Sequence, residues 1–305
     1  MNKDKLKTAY GYIPIKELLI ESMPNKPSVN LPTYIDYLYN SNYDKKSAPI
    51  KIMLKNNKIG ILGRNKNIKT KNIKWIRAGN SLHKIRIPLS LDPKLAYLTG
   101  YLYGDGGFKD IKNSYKKHNR FEHKIIVGDE FKVQVERVKH LFEQLFDLQT
   151  TIRDERIEKG ENMYYINPTS KIVYRFFVKI FGFPEGPKRN IRFPKIIEKA
   201  PQEIRRWFIR GFIDADGDVR ATEHYKNRLS SPRIKVRLAE RYFINQLKES
   251  LNKDFKLNFT GPYSNSKRDW YIQCAKSSMI NADKQTLFTH PIKRWRLEKF
   301  LKRSN

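Results

Sequence analysis

Apolar residues fall along this chain at two spacings, and each change of spacing marks an expected change of secondary structure. Phe131, Val135, Val138, Phe142 and Leu145 recur every three or four positions. That period predicts a helix over Glu130–Phe146 with one buried stripe. Arg233–Leu238 alternates instead, with Ile234, Val236 and Leu238 on one parity and Arg233, Lys235 and Arg237 on the other. Such a segment is a strand with one face in the core. By the same reasoning strands are expected near 120–127, 150–157, 163–167, 255–263 and 270–275, and helices near 171–181, 241–251 and 277–288. Residues 291–303 read as a final helix or tail. In the first third, 50–54 and 75–87 read as short strands among Pro14, Pro24, Pro27, Pro32 and Pro49.

Two further stretches nearly repeat each other: Leu98–Gly106 reads LTGYLYGDG and Ile209–Gly217 reads IRGFIDADG. Each is a helical run with small residues at every fourth place, Ala96, Gly100 and Gly104 in one, Gly211 and Ala215 in the other. Asp92-Pro93 supplies an N-cap and first turn for the first of them. A stripe of small residues lets two helix backbones approach closely. If the two helices pack in parallel, Asp105 and Asp216 end side by side at the negative ends of both helix dipoles, an arrangement that repels itself. A divalent cation relieves that repulsion, because hard cations take carboxylate oxygens. Around these helices the element order runs twice as helix–strand–strand–helix–strand–strand–helix, with a turn and a loop expected directly after each acid. The expected fold is α+β: two pseudo-symmetric αββαββα units, 92–187 and 188–305, forming one saddle-shaped sheet surface behind a basic N-terminal segment, 1–91.

The paired motifs, 111 residues apart (216 − 105), resemble the LAGLIDADG homing endonucleases, in the class with two motifs in one chain. The second motif departs from the family string at Ile209, Arg210 and Phe212; the first keeps Leu98, Gly100, Asp105 and Gly106 and is looser elsewhere. The resemblance spans about Asp92 to the C-terminus. It implies a monomeric, metal-dependent DNA endonuclease using Mg²⁺ or Mn²⁺, which makes a staggered cut with 3′ overhangs. It further implies that Asp105 and Asp216 each serve one strand and that the carbonyls of Gly104 and Ala215 join the metal shell. The family's central lysine maps onto Lys188 in Gly186-Pro187-Lys188 and onto Lys293 after the last helix, with Lys171 and Lys276 as alternatives. Asp214 belongs to the motif string, but its counterpart is Tyr103, so no catalytic role is expected of it. Asp110 and Asp218 read as loop or strand residues.

Charge sharpens this picture. The 305 residues carry 62 Lys and Arg against 31 Asp and Glu, a net charge of +31, which calls for a polyanionic partner. Between Lys45 and Leu91 there are 13 Lys or Arg and no acid. No apolar run is long enough for a membrane span. One cysteine, Cys274, excludes a disulfide framework, and the six histidines show no metal-nuclease spacing. No phosphate-binding glycine loop is present, so ATP use is not implied. A face of one sign of charge repels itself unless an anion covers it; Arg233, Lys235 and Arg237, and more weakly Arg120 and Lys124 in the first unit, are therefore the expected contacts to double-stranded DNA. An RNA maturase acting on intron RNA, or a non-cleaving DNA-binding regulator, would use the same basic surface without the two acids. Residues 11–18 faintly resemble a strand pair of intein splicing domains, so the lead segment is either a remnant of one or an arm that lengthens the DNA contact. Splicing itself is not expected, since no cysteine precedes and no histidine stands before Asn305. The charged N-terminus has no signal core, and the expected location is the cytoplasm, at the nucleoid, or an organelle matrix.

Overall fold

The computed structural model describes residues 5–8, 11–14, 23–39, 49–113, 120–156, 162–220, 223–224, 228–229 and 233–302, apart from positions 66, 80, 189, 267, 268 and 275. Strands β1 (Lys5–Thr8) and β2 (Gly11–Pro14) pair antiparallel; of residues 11–18, expected as a strand pair, 11–14 form β2 and 15–18 lie outside the described ones. β3 (Val29–Asn30) pairs with β7 (Ser90–Leu91), and β4 (Ile50–Leu54), β5 (Ile59–Ile61) and β6 (Ile73–Ala78) make a three-stranded antiparallel sheet in the order β5-β4-β6. The strand expected over 75–87 starts two residues earlier and stops at Ala78. Ile85 alone returns to it, through an isolated bridge to Ile76. This lead segment docks on the first unit. The Arg86 amide donates to the Phe146 carbonyl at 3.0 Å and the Arg175 guanidinium to the Leu38 carbonyl at 2.8 Å, and Leu38, Ile52 and Ile76 share one continuous core with the rest of the chain.

The rest of the chain mixes helices with antiparallel sheets. Helix α1 (Pro93–Asp105) opens with the Asp92 carboxylate accepting from the Leu95 amide at 2.9 Å, a cap that satisfies one of the orphan donors of the first turn. It is followed by β8 (Gly107–Asn113), β9 (Arg120–Asp129), α2 (Lys132–Phe146), β10 (Ile152–Arg156), β11 (Asn162–Ile166) and α3 (Lys171–Phe176), which continues as a wider π-turn to Phe181. A short α4 (Lys195–Glu198) lies in the proline-bounded link. The second run is α5 (Gln202–Asp216), β12 (Gly217–Arg220), the small pair β13 (Glu223–His224) and β14 (Arg228–Leu229), β15 (Arg233–Leu238), α6 (Arg241–Phe255), β16 (Phe259–Ser266), β17 (Asp269–Cys274) and α7 (Lys276–Lys284), closed by α8 (Pro291–Lys302). The two four-stranded sheets have the same strand order, β8-β9-β11-β10 and β12-β15-β17-β16, antiparallel throughout.

Three expectations need correction. Residues after each acid are not loops but strands, because Gly107–Asn113 pairs along its whole length with β9 and Gly217–Arg220 with β15; ladder pairing overrides the poor strand propensity of Gly, Lys and Asp. Asp110 and Asp218 are accordingly strand residues. Helix α6 runs on to Phe255, which is buried, so the following strand starts at Phe259. Helix α7 stops at Lys284, short of 288. On β15 the alternation is as the sequence requires, with Ile234 and Val236 fully buried and Arg233 and Arg237 exposed.

Candidate nuclease site

The two motif helices touch along their small residues. A Cβ added at Gly100 would fall on the Phe208 carbonyl, one at Gly211 on the Tyr97 carbonyl, and one at Gly104 on the Ala215 side chain and 3.3 Å from the Asp216 carboxylate. The contacts advance together, from Tyr97 and Gly100 against Phe208 and Gly211 to Gly104 against Ala215, so α1 and α5 run parallel. Their C-terminal acids, Asp105 and Asp216, therefore share one end of the pair.

Two lysines close that end. Lys188, from the link between units, donates to the carbonyls of Tyr103, at 3.0 Å, and Gly104. Lys293, from the first turn of α8, donates to the carbonyls of Asp214 and Ala215 at 2.5 and 2.6 Å. Tyr103 and Asp214, like Gly104 and Ala215, hold equivalent places in the two motifs, so each lysine neutralises the same pair of terminal carbonyls on its own motif helix. Lys171 opens α3 and Lys276 opens α7; the Lys276 side chain lies outside the described residues.

The electrostatics are those of crowded like charges. Asp105 has a side open to solvent, yet burial of its carboxylate, then the charge of Asp216, push it up to about 7 against the pull of Lys293 and Lys188. Burial raises Asp216 as well, opposed by both lysines. The lysines move the other way: burial lowers Lys188 and Lys293, although the facing acids favour their charged forms. An acid whose folded value lies above its unfolded one holds a proton that the unfolded chain has already released. Between about pH 4 and pH 7, Asp105 therefore takes stability away as pH rises, and above 7 the loss is complete. Replacing Asp105 with Asn should remove this decline; thermal midpoints of both forms from pH 4 to 8, without divalent ion, check it. A gap between the two that stays constant across the window would contradict the arrangement.

Beside the site lies a buried polar network that sequence reasoning did not identify. Asp214 is fully buried and accepts from the Tyr97 hydroxyl at 2.8 Å, the Thr289 amide at 3.0 Å and the Thr289 hydroxyl at 2.5 Å. Arg137 stands 3.8 Å from it and donates to the Thr289 carbonyl and hydroxyl. Asp214 is thus a structural acid, joining helices of both units. Asp129, at the end of β9, accepts from the Tyr101 hydroxyl at 2.7 Å and the Phe131 amide at 2.8 Å, with His290 3.6 Å away. Burial alone would raise the Asp129 carboxyl, but His290, Tyr101 and the Phe131 amide outweigh it and hold the group below its ordinary value. No local signal could have brought Asp129 and His290 together, since they lie 161 positions apart (290 − 129).

The basic face is built on the second sheet. Arg233 and Arg237 project from β15, and Lys235 lies over the Tyr271 ring at 3.5 Å. Gln273 and Tyr271 on β17 register with Lys235 and Arg237, giving hydrogen-bonding and aromatic groups among the charges. In the first sheet Lys124 is half-buried opposite Lys109, while the Arg120 side chain lies outside the described residues. Among the described residues no three His, Cys, Asp or Glu side chains converge as a self-sufficient metal cage. The donor set at the helix ends is nevertheless all oxygen: two repelling carboxylates, which suit a hard divalent cation, beside the Gly104 and Ala215 carbonyls, each of which already accepts from a lysine. No helix among the described residues is long and apolar enough to cross a membrane.

No family model matches the chain. Among curated proteins it is 28% identical over 175 residues to the probable translation initiation factor IF-2 of Thermococcus kodakarensis, covering 56% of this chain and 13% of that protein. It is 29% identical over 140 residues to a glutamine–fructose-6-phosphate aminotransferase of Methanocaldococcus jannaschii, covering 45% of this chain and 11% of that one. The chain thus spans 13% or less of the length of these relatives. Among solved structures, mesophilic variants of the homing endonuclease I-DmoI align with TM-score 0.48 and 18% identity over 68% of this chain and 97% of theirs. I-WcaI bound to its DNA recognition sequence aligns with TM-score 0.46 and 13% identity over 67% of this chain and 85% of its own. I-GzeII with its DNA target gives TM-score 0.46 and 12% identity over 69% and 89%. The solved neighbours are thus homing endonucleases, and the last is a member of the LAGLIDADG family that the paired motifs of this chain resemble.

Proposed function

We propose that this chain is a site-specific endonuclease of double-stranded DNA, acting as a monomer with one cleavage centre for each strand. The observation that carries this reading is the pair of acids Asp105 and Asp216 at the ends of two touching parallel helices, with Lys188 and Lys293 each on the last carbonyls of its own motif helix and each facing most strongly the acid of the other motif. Hydrolysis of a phosphodiester needs an activated water, relief of charge at phosphorus and a neutralised leaving oxygen. A divalent cation, Mg²⁺ or Mn²⁺, held by Asp105, Asp216 and the carbonyls of Gly104 and Ala215, would supply Lewis acidity at the scissile phosphate. The chain's own residues do the rest. The carboxylates orient the attacking water. Each lysine, desolvated by burial, would stabilise negative charge developing at phosphorus. The exposed basic strand fixes the duplex against the site through its phosphates, and a staggered cut with 3′ overhangs is the expected product.

The curated matches bear on how such a gene travels. A translation factor and an aminotransferase share no chemistry, yet each contains a segment resembling about half of this chain. That distribution fits an element inserted into unrelated reading frames, and favours intein-like homing over an intron-encoded protein. The cytoplasm, where bacterial and archaeal DNA lies, is the matching location.

The test is to select duplexes bound by the chain from a randomised library and incubate them with Mg²⁺ or Mn²⁺. Breakage of both strands at a fixed offset is expected. Duplexes held tightly but left whole under either ion would instead favour the non-cleaving regulator, and preferential binding of structured intron RNA the maturase. Binding should also be strongly salt-dependent. Converting Arg233, Lys235 and Arg237 to Gln should reduce the slope of log affinity against log salt by about 2 to 3, at roughly 0.9 for each phosphate no longer neutralised. Titrations from about 50 to 200 mM salt measure it, and an unchanged slope would remove this strand from the interface.

A further inference from the structure

Lys188 and Lys293 reach equivalent carbonyls, but they are held there by different means. Lys188 follows a backbone bond between two residues of the first unit, from the Gly186 amide to the Phe108 carbonyl at 3.0 Å. Lys293 follows Thr289, which the buried Asp214 carboxylate holds, and His290, which lies 3.6 Å from the Asp129 carboxylate. Thr289 gives its amide and hydroxyl to Asp214 and receives Arg137 of the first unit. His290 is 1% exposed, and its Nδ1 accepts from the amides of Ile292 and Lys293 at 3.2 and 3.5 Å. It therefore caps the first turn of α8, the turn that carries Lys293. An accepting Nδ1 leaves the ring proton on Nε2, which faces Asp129 of the first unit at 3.6 Å and has no hydrogen-bond partner of its own. The other charged and titratable groups about this ring are Tyr101, on the same Asp129 oxygen, and Arg137 and Asp214, on the neighbouring Thr289.

We propose that His290 is a positioning residue for Lys293, and that the first unit, through Asp129, thereby sets the geometry of the cleavage centre that Lys293 serves. The inference rests on the nuclease reading for its catalytic consequence, though not for its structural one. Because no equivalent brace stands at Lys188 among the described residues, breaking it unbalances the two centres. A lysine displaced by even about 1 Å from a reacting phosphate can cost on the order of 10²-fold in rate.

The experiment uses the whole chain with His290→Ala, His290→Asn and Asp129→Asn, beside Lys293→Met and Lys188→Met as references. Strand-specific cleavage is followed on a library-selected duplex labelled at both 5′ ends, and amide exchange at Ile292 and Lys293 on the protein alone. His290→Ala and Asp129→Asn should slow the strand that Lys293→Met slows, by roughly tenfold or more, and leave the Lys188-dependent strand within about twofold. The Ile292 and Lys293 amides should lose protection in His290→Ala. His290→Asn restores a helix cap without reaching Asp129; it should keep the amides protected and still unbalance the strands. Equal slowing of both strands, or no change in either, overturns the proposal. If the unaltered chain cuts no selected duplex, the nuclease reading fails, whereas unchanged amide protection in His290→Ala defeats the positioning role by itself.

Discussion

Replacing Gly211 with Ala should destabilise this protein by several kcal/mol, reversing the usual sign of that substitution. In an exposed helix interior, Gly to Ala gains about 0.5–1 kcal/mol, because alanine loses less backbone entropy on folding. Here the added Cβ would fall on the Tyr97 carbonyl, with the Tyr101 amide at 2.9 Å. Both obstacles are backbone atoms of a buried helix, so no side chain can rotate away, and the helices must separate along their length. Overpacking of this kind costs about 1–3 kcal/mol and more where the neighbour is rigid. Gly100→Ala meets the Phe208 carbonyl and should behave alike. The double variant should cost less than the sum, since one separation accommodates both methyl groups. Gly107→Ala, whose nearest neighbour would be Ile126 at 3.9 Å, is the control. Urea midpoints give the comparison; if Gly211→Ala matched or exceeded the unaltered chain in stability, close contact of α1 and α5 would be wrong.

The second large effect is catalytic. Asp216→Asn should lower cleavage of one strand by about 10²–10³-fold, on the scale of deleting one preorganised electrostatic contact from a reaction centre. Nicked duplex should accumulate while affinity for DNA is kept or improved, because one negative charge near the phosphates is gone. Stability without divalent ion should rise at neutral pH, since the charged form of Asp216 is disfavoured by burial in the folded chain. These outcomes separate a catalytic acid from a structural one. A structural acid such as Asp214, bound by three donors, loses stability when neutralised. Plasmid nicking assays and thermal melts on the same preparation decide between them, and wild-type cleavage of both strands by Asp216→Asn would end its assignment.

Much of the fold was legible because it is written in local periods. The alternation of Arg233–Leu238 and the stripe from Phe131 to Leu145 report burial directly, as each side chain's direction follows from backbone geometry. The strands after Asp105 and Asp216 were not legible, since residues such as Lys109, Asp110 and Lys112 carry no strand signal and gain their structure from the neighbouring strand. The lead segment reads as separate by composition, yet Leu38, Ile52 and Ile76 belong to the common core. Basic composition describes its surface and is silent about its buried contacts.

What the sequence determined alone was a duplicated helix with small residues on one side, an acid at each end and strongly positive surroundings. Those properties follow from spacing and charge, which need no coordinates. Tertiary structure decided which groups meet at those acids: that Lys188 and Lys293 reach equivalent carbonyls, that Asp214 is committed to packing, and that His290 and Asp129 join the two units. Contacts between residues a hundred or more positions apart depend on how whole elements dock, and docking is settled by the summed packing of the core, which no short stretch of residues contains.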